Sequence, residues 1–199
     1  MFTTKIKNIE LTFETANELF SPRVVDPGTL ALLSVIEFEK NDKICDLGCG
    51  YGVIGILAAK LTSENVVMID NDELAIKIAK KNAQRNGVDA IKIILSDGFT
   101  TVHERGFTKI ITNPPYHVDF LVPKAFIEKG FNRLQLNGEM YMVTKRRTWY
   151  EKKLQSIFGN VVVFERDGYY VFKATKRQLQ YANKTKEKHK TPPKKRRRK

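Results

Sequence analysis

An α/β fold, with a seven-stranded, mostly parallel sheet, helices on both faces and an antiparallel last strand, is predicted by three features of the sequence. From Lys43 onward, short β-rich runs alternate with amphipathic helical stretches, the pattern of βαβ units. A glycine-rich stretch, Asp46-Leu47-Gly48-Cys49-Gly50-Tyr51-Gly52, falls between a β-rich run and a helical run. Asp167-Gly168 separates the last two β-rich runs, where a two-residue turn closes a hairpin and reverses the chain.

Taken in order, strands are predicted over 43–47, 65–69, 91–95, 108–112, 139–144, 161–165 and 169–173. Helical periodicity falls over 52–61, over 72–86 with Leu74, Ile76, Ile78 and Ala79 on the apolar side, over 120–134 and over 149–158. Asn86-Gly87 ends the second of these helices, and Asn137-Gly138 ends the third connection. Upstream, 5–13 has strand-like alternation through Ile6, Ile9, Leu11 and Phe13, and 27–36 reads as a helix begun by Asp26-Pro27 with the aspartate as cap. The expected organisation is an N-terminal strand and helix over 1–42 covering the cofactor side, a core over 43–173, and a basic tail over 174–199. In the tail too little apolar surface remains to offset ordering entropy, so it is expected to be disordered alone.

Composition narrows the function. With 42% hydrophobic residues in 199, the chain can bury one core of ordinary size. It shows neither the apolar segment of a signal peptide nor a run approaching the roughly 18 apolar residues of a membrane span, so a cytoplasmic protein without a membrane partner is expected. Cys45 and Cys49 lack the further Cys or nearby His of a zinc tetrahedron, so no metal is expected. Of the formal charge of +13, residues 173–199 carry +12 and the rest of the chain +1. The basic signal belongs to an appendage on a nearly neutral body, and flexible Lys/Arg adds sequence-independent attraction to phosphates.

The glycine loop places Gly48, Gly50 and Gly52 where a backbone can approach a ligand closely. The same stretch spells G-x-G-x-x-G from Gly50 to Gly55, with Asp70 near the spacing of a ribose-binding acid, so a dinucleotide site is an alternative. Asp46 weighs against it: a carboxylate at the strand end would oppose a pyrophosphate but suits the ammonium of a methionine moiety. Asp70, ending the second strand, can accept from both ribose hydroxyls, or else cap the next helix. Asp97, after the third strand, can accept from an adenine amine, or else serve as a turn residue.

Asn113-Pro114-Pro115-Tyr116 follows the fourth strand and so emerges at the same carboxyl edge as the glycine loop. Consecutive prolines fix φ and remove backbone donors, leaving the Asn113 side-chain oxygen and the Pro114 carbonyl as acceptors for the two hydrogens of an amino group. A conjugated amine is a weak nucleophile, and accepting its protons returns density to nitrogen while stabilising the charge that develops on attack. Tyr116 can stack on a planar substrate, and His117 can contact it or relay a proton, or else be a solvated loop histidine. Lys145-Arg146-Arg147, with Trp149 and Tyr150, forms a second basic and aromatic cluster in which Lys145 and Arg146 could hold a phosphate beside a flipped base; otherwise it starts the next helix.

On these motifs, together with Leu19-Phe20-Ser21-Pro22 leading into Asp26-Pro27-Gly28-Thr29, residues 11–173 resemble the class I methyltransferases. Within them, the chain is most similar to the methyltransferase small-domain family, which includes bacterial guanine-N2 methyltransferases of small-subunit ribosomal RNA. The resemblance implies a Rossmann-like sheet, S-adenosyl-L-methionine over Gly48 to Gly52, and the target amine between Asn113 and Tyr116. It implies ribosomal RNA or a ribosomal subunit as partner. Ribosomal enzymes of this kind often carry a second, degenerate copy of the domain, of which this sequence has none, and commonly have Phe where Tyr116 stands. The same tetrapeptide serves enzymes that methylate adenine N6 or a glutamine amide in release factors, and a non-catalytic nucleic-acid-binding module of the same fold is a further alternative.

Overall fold

The computed structural model of the chain describes residues 1–182, apart from 20, 22, 64, 89 and 115–119. The predicted tail beyond 182 therefore lies outside the described residues, as do the predicted site residues Tyr116 and His117.

Phe2–Ile6 (β1) and Ile9–Phe13 (β2) form an antiparallel hairpin. Lys7 and Asn8 make its turn with φ of 48° and 65°. The segment 5–13 is thus not one strand. Its apolar positions Ile6 and Ile9 are an odd number of residues apart, which breaks the period of two, and both inner turn residues take the positive φ that a tight hairpin requires. The hairpin packs against the outer side of two helices of the main domain through Leu11 and Phe13, both buried.

The main sheet contains Ile44–Leu47 (β3), Val66–Asp70 (β4), Lys92–Leu95 (β5), Phe107–Thr112 (β6), Leu134–Thr144 (β7), Val162–Arg166 (β8) and Tyr169–Thr175 (β9), in spatial order β5-β4-β3-β6-β7-β9-β8. β3 to β7 run parallel, while β9 inserts between β7 and β8 antiparallel to both. Asp167 and Gly168, at φ of 49° and 78°, close the β8–β9 hairpin. Asn137-Gly138 does not end a connection before β7 but lies within it: Asn137 adopts φ of 63°, the register with β6 shifts here, and both residues still bond to Lys176 backbone atoms. This is a bulge, which uses the same tolerance of left-handed φ that makes Asn-Gly a turn signal.

Pro27–Val35 (α1), Val53–Leu61 (α2) and Glu73–Arg85 (α3) cover one face, and Leu121–Arg133 (α4) and Thr148–Phe158 (α5) the other. Every β3 side chain is buried because β3 lies between helices on both faces. Strand order reverses around β3, since the chain proceeds to β4 and β5 on one side and then crosses to β6 on the other. The carboxyl ends of β3 and β6 therefore flank a switch point, the place where open α/β sheets leave a crevice. No helix among the described residues is long and apolar enough to cross a membrane.

Candidate active site

A cavity of about 430 Å³ opens at that switch point. Its floor is the loop after β3, whose geometry rests on committed backbone donors. Gly48 and Cys49 N–H both donate to the Ile69 carbonyl, at 2.8 and 2.9 Å, Gly50 N–H donates to Asp70 Oδ2 at 2.8 Å, and Gly52 N–H donates to the Cys49 carbonyl at 3.0 Å. Four donors that a phosphate-cradling loop would turn outward are satisfied within the protein. Gly52, at φ of 103°, is the N-cap of α2 and, unlike Gly48 and Gly50, is not among the residues lining the cavity, and at Gly55 a Cβ would lie 2.6 Å from Met68 Sδ. The sequence thus spells the dinucleotide fingerprint because the turn and the close α2–β4 contact need glycine, without offering the pyrophosphate its amides.

Charge makes the same distinction. The described residues lining the cavity include Glu18, Asp26, Asp70, Asp72 and Asp97 but no Lys or Arg. Such walls repel a pyrophosphate and attract a cation. A sulfonium nucleoside carrying an ammonium group fits that set of acceptors. Apolar surface from Val53, Ile54, Val122 and Phe126 completes the lining; the Phe126 ring lies within 3.8 Å of where a Gly48 Cβ would stand and within 3.4 Å of where a Gly98 Cβ would. Both loops approach the ring closely because they end in glycine there.

Of the residues singled out from the sequence, Gly48, Gly50, Asp70, Asp97, Asn113 and Pro114 all line this cavity. Asp70 holds the floor, accepting from Gly50 N–H through Oδ2 and from Asp72 N–H through Oδ1; the helix cap is Asp72, which accepts from Leu74 N–H at 2.8 Å. Asp97 uses its carbonyl for the turn, accepting from Thr100 N–H, while the residue as a whole stays at the rim. Asp46 differs from the expectation. It is fully buried beneath α2, its Oδ2 accepts from Gly55 N–H at 2.8 Å, and it is not among the residues lining the cavity. Its Oδ1 has no hydrogen-bond partner among the described residues, and burial pushes its pKa up to about 7. Burial likewise holds the Cys45 and Cys49 thiols well above their ordinary range, which leaves neither as a nucleophile.

Asn113 is held by both of its amide hydrogens. Its Nδ2 donates to Asp26 Oδ2 at 2.8 Å and to Thr29 Oγ1 at 2.9 Å. A carboxylate can only accept, so the amide orientation is unambiguous. In the sequence Asp26 and Thr29 mark only the start of a helix, and nothing local signals a contact with Asn113 across 87 residues. The cue that existed is the cap itself, which fixes the end of α1.

Lys145 and Arg146 do not line the cavity. They form a shelf at the end of β7, with Lys145 Nζ 5.0 Å from the Tyr169 ring centroid, Arg146 Cζ 5.6 Å from that of Phe120, and Arg147 Cζ 5.8 Å from that of Tyr170. Phe120 stacks on Trp149 with centroids 4.5 Å apart. The first turns of α4 join the two regions, for Phe120 belongs to the shelf and Val122 and Phe126 to the cavity.

The family model described as methyltransferase small domain matches residues 10–173. The uncharacterized protein YbxB of Bacillus subtilis (strain 168) is 36% identical over 179 residues, covering 86% of this chain and 89% of that protein. The ribosomal RNA large subunit methyltransferase G of Klebsiella pneumoniae (strain 342) is 28% identical over 88% of this chain but 49% of its own length. Among solved structures, the Thermus thermophilus 16S rRNA N2 G1207 methyltransferase, in complex with AdoMet and guanosine, superposes with a TM-score of 0.80 at 29% identity, covering 88% of this chain and 50% of that one. The chain thus spans about half the length of the two relatives whose names state an activity.

Proposed function

Because this chain belongs to the methyltransferase small-domain family and is an S-adenosylmethionine-dependent methyltransferase, we propose that its acceptor is an exocyclic amine of an RNA base, with guanine N2 of ribosomal RNA favoured. The observation that carries the reading is Asn113, whose amide nitrogen is committed to Asp26 and Thr29 at the wall of an acidic cavity. The amide therefore presents its carbonyl oxygen, an acceptor, on the side away from α1, as recognition of an amino group requires. A structural relative at 29% identity described as an N2 guanine methyltransferase supports the choice of guanine.

When bound, the cofactor would supply a methyl group on a cationic sulfur: the amine lone pair would form the new N–C bond as the S–C bond breaks onto sulfur, leaving a neutral thioether, and the amine would lose one proton to water. Asp70 accepts from the ribose hydroxyls and Asp97 from the adenine amine, with Gly48 and Gly50 as the close-packed floor. Asn113 and the Pro114 carbonyl accept the two amine hydrogens, orient the lone pair and stabilise the charge that nitrogen acquires. Tyr116 and His117 contact the base. Lys145 and Arg146 hold backbone phosphates of the same strand, and the basic segment 174–199 adds nonspecific attraction to RNA.

The test is incubation with cofactor labelled in the methyl group and ribosomal RNA from cells lacking the protein, followed by nucleoside mass spectrometry. N2-methylguanosine is expected. N6-methyladenosine would move the acceptor to adenine, and label in a release-factor glutamine but not in RNA would overturn the RNA assignment. Calorimetry without cofactor binding would favour a non-catalytic RNA-binding module. Asn113→Ala is expected to leave cofactor affinity unchanged and lower transfer about a thousandfold.

A further inference from the structure

Asn113 is held from an unexpected direction. Its two amide hydrogens go to Asp26 Oδ2 at 2.8 Å and Thr29 Oγ1 at 2.9 Å, and the same Asp26 oxygen accepts Thr29 N–H at 2.8 Å as the N-cap of α1. Asp26 and Thr29 are each 8% exposed, and both line the cavity. One carboxylate oxygen therefore joins the start of α1 to the end of β6. This is more than α1 needs, since a serine or threonine caps a helix about as well as an aspartate.

We infer that Asp26, seconded by Thr29, is a positioning residue for methyl transfer that selects and polarises the productive orientation of the Asn113 amide. The inference rests on the amine-acceptor role proposed above for Asn113. A side-chain amide can turn over, exchanging its oxygen for its NH2 at nearly constant shape. In the turned orientation Asn113 would present donors to the hydrogens of a substrate amine and repel it. Two acceptors on the α1 side, one of them charged, remove that orientation. The same contacts act on the electrons of the amide. An N–H donating to a carboxylate pushes density through the conjugated C–N bond onto Oδ1, making that oxygen a stronger acceptor, as linked hydrogen bonds reinforce one another. Asp26 thereby lends negative charge to the point where the amine nitrogen becomes positive, without touching the substrate itself.

The positioning role and the capping role separate by substitution, and so do orientation and charge. Asp26→Ser keeps a good cap for α1 but is too short to reach Asn113. Asp26→Asn keeps both bonds, because a single carbonyl oxygen can accept from Asn113 and from Thr29 N–H as Oδ2 does now, and removes only the charge. With methyl-labelled cofactor and ribosomal RNA from cells lacking the protein, Asp26→Ser is expected to lower kcat about tenfold to a hundredfold, with cofactor affinity and Tm little changed. Asp26→Asn is expected to recover the part of that loss due to orientation, and the deficit that remains measures the polarisation. In an Asn113→Ala background the Asp26→Ser effect should vanish, since the residue acts through Asn113. A loss of equal size in both backgrounds, or a kcat within about twofold of wild type, would overturn the role.

A second readout is independent of the acceptor. In 15N-labelled protein, the Asn113 side-chain NH2 signals should be displaced and slow to exchange in the wild type, move in Asp26→Ser and stay close to wild type in Asp26→Asn. Signals unaltered by Asp26→Ser would sink the inference whatever the enzyme methylates. Should the wild-type chain leave ribosomal RNA unlabelled, the acceptor assignment fails, and these signals still decide whether Asp26 positions Asn113.

Discussion

The cavity and the shelf stand side by side at one sheet edge with opposite electrostatics and opposite construction. The cavity gathers five carboxylates and no cation among its described residues, and three of the five are tied into the protein: Asp70 holds Gly50 and Asp72, Asp72 caps α3, and Asp26 holds α1 and Asn113. On the shelf, Lys145, Arg146 and Arg147 are exposed at the surface, each lying over an aromatic ring. Built-in acids suit a small cation that must be held in one pose, whereas mobile guanidinium and ammonium groups suit a polyanion that arrives in many. Asn113 stands on the cavity wall, where a methyl donor held by the acids and an RNA base held by the cations would meet.

The largest effect that would sharpen this division is at Asp70. Asp70→Ala removes the proposed ribose acceptor and also frees the Gly50 amide, so cofactor affinity measured by calorimetry should fall about a hundredfold, the size of losing more than one charge-assisted hydrogen bond. Binding of RNA in the absence of cofactor should not change. A variant that loses RNA and cofactor together would show that the two regions are one site and break the comparison.

How the cavity is assembled was only partly open to sequence reasoning. The seven strands of the main sheet, the glycine loop and Asn113 were legible because each is a local pattern: period-two runs, a strand-loop-helix transition, an Asn followed by two prolines. The first hairpin hid inside an apparent strand, since Lys7-Asn8 carries no glycine and the odd spacing from Ile6 to Ile9 is a one-residue cue. The bulge at Asn137-Gly138 resembled a turn because both need the same left-handed φ. Asp46 and Asp26 show the deeper limit. Whether a carboxylate faces the ligand or lies under a helix depends on which elements close over it, and the contact of Asp26 with Asn113 exists only once α1 docks on the sheet over β7 and β9. The shelf was read as a cluster, but its stack on Phe120 comes from α4, a separate element.

Asp46 offers the next test, because it is a buried charge beneath the acidic region and not on its wall. Its carboxyl titrates near 7 in the folded protein against an ordinary value of 3.8. Below both values the proton is bound in either state. As pH rises between them the unfolded chain ionises first, so the wild type loses stability through this window and bears the whole loss above pH 7. Asp46→Asn has no such slope. A shift of that size is worth about 4 kcal/mol, and the asparagine leaves an unpaired polar group at the Oδ1 position just as the protonated carboxyl does, so the variant should be close to wild type in stability at pH 4 and more stable by up to about 4 kcal/mol at pH 8. Melts at the two pH values give the answer; a gap of the same size at both would show that Asp46 ionises near its ordinary value. Unchanged cofactor affinity in this variant would also remove Asp46 from the cofactor's ammonium, the role its sequence position suggests.

The smallest effect is the one that isolates the shelf. Lys145→Ala with Arg146→Ala leaves every cavity-lining residue in place, so cofactor affinity should stay within error. If the two side chains meet backbone phosphates, RNA affinity at moderate salt should fall about tenfold, and the slope of log K against log salt should shrink by about 1.5, because each lost contact no longer releases its counterion. The slope matters more than the affinity. Removing a cation anywhere on a basic chain weakens RNA binding somewhat, and the segment 173–199 alone carries +12; only a cation at a phosphate in the bound state removes its share of ion release. The matched control is Lys194→Ala with Lys195→Ala, with the same charge change in the tail. A slope that falls equally in both would assign RNA to diffuse attraction and leave the shelf without a special place, whereas a fall confined to Lys145 and Arg146, together with slower transfer at saturating cofactor, would fix the path of the strand across α4 toward Asn113.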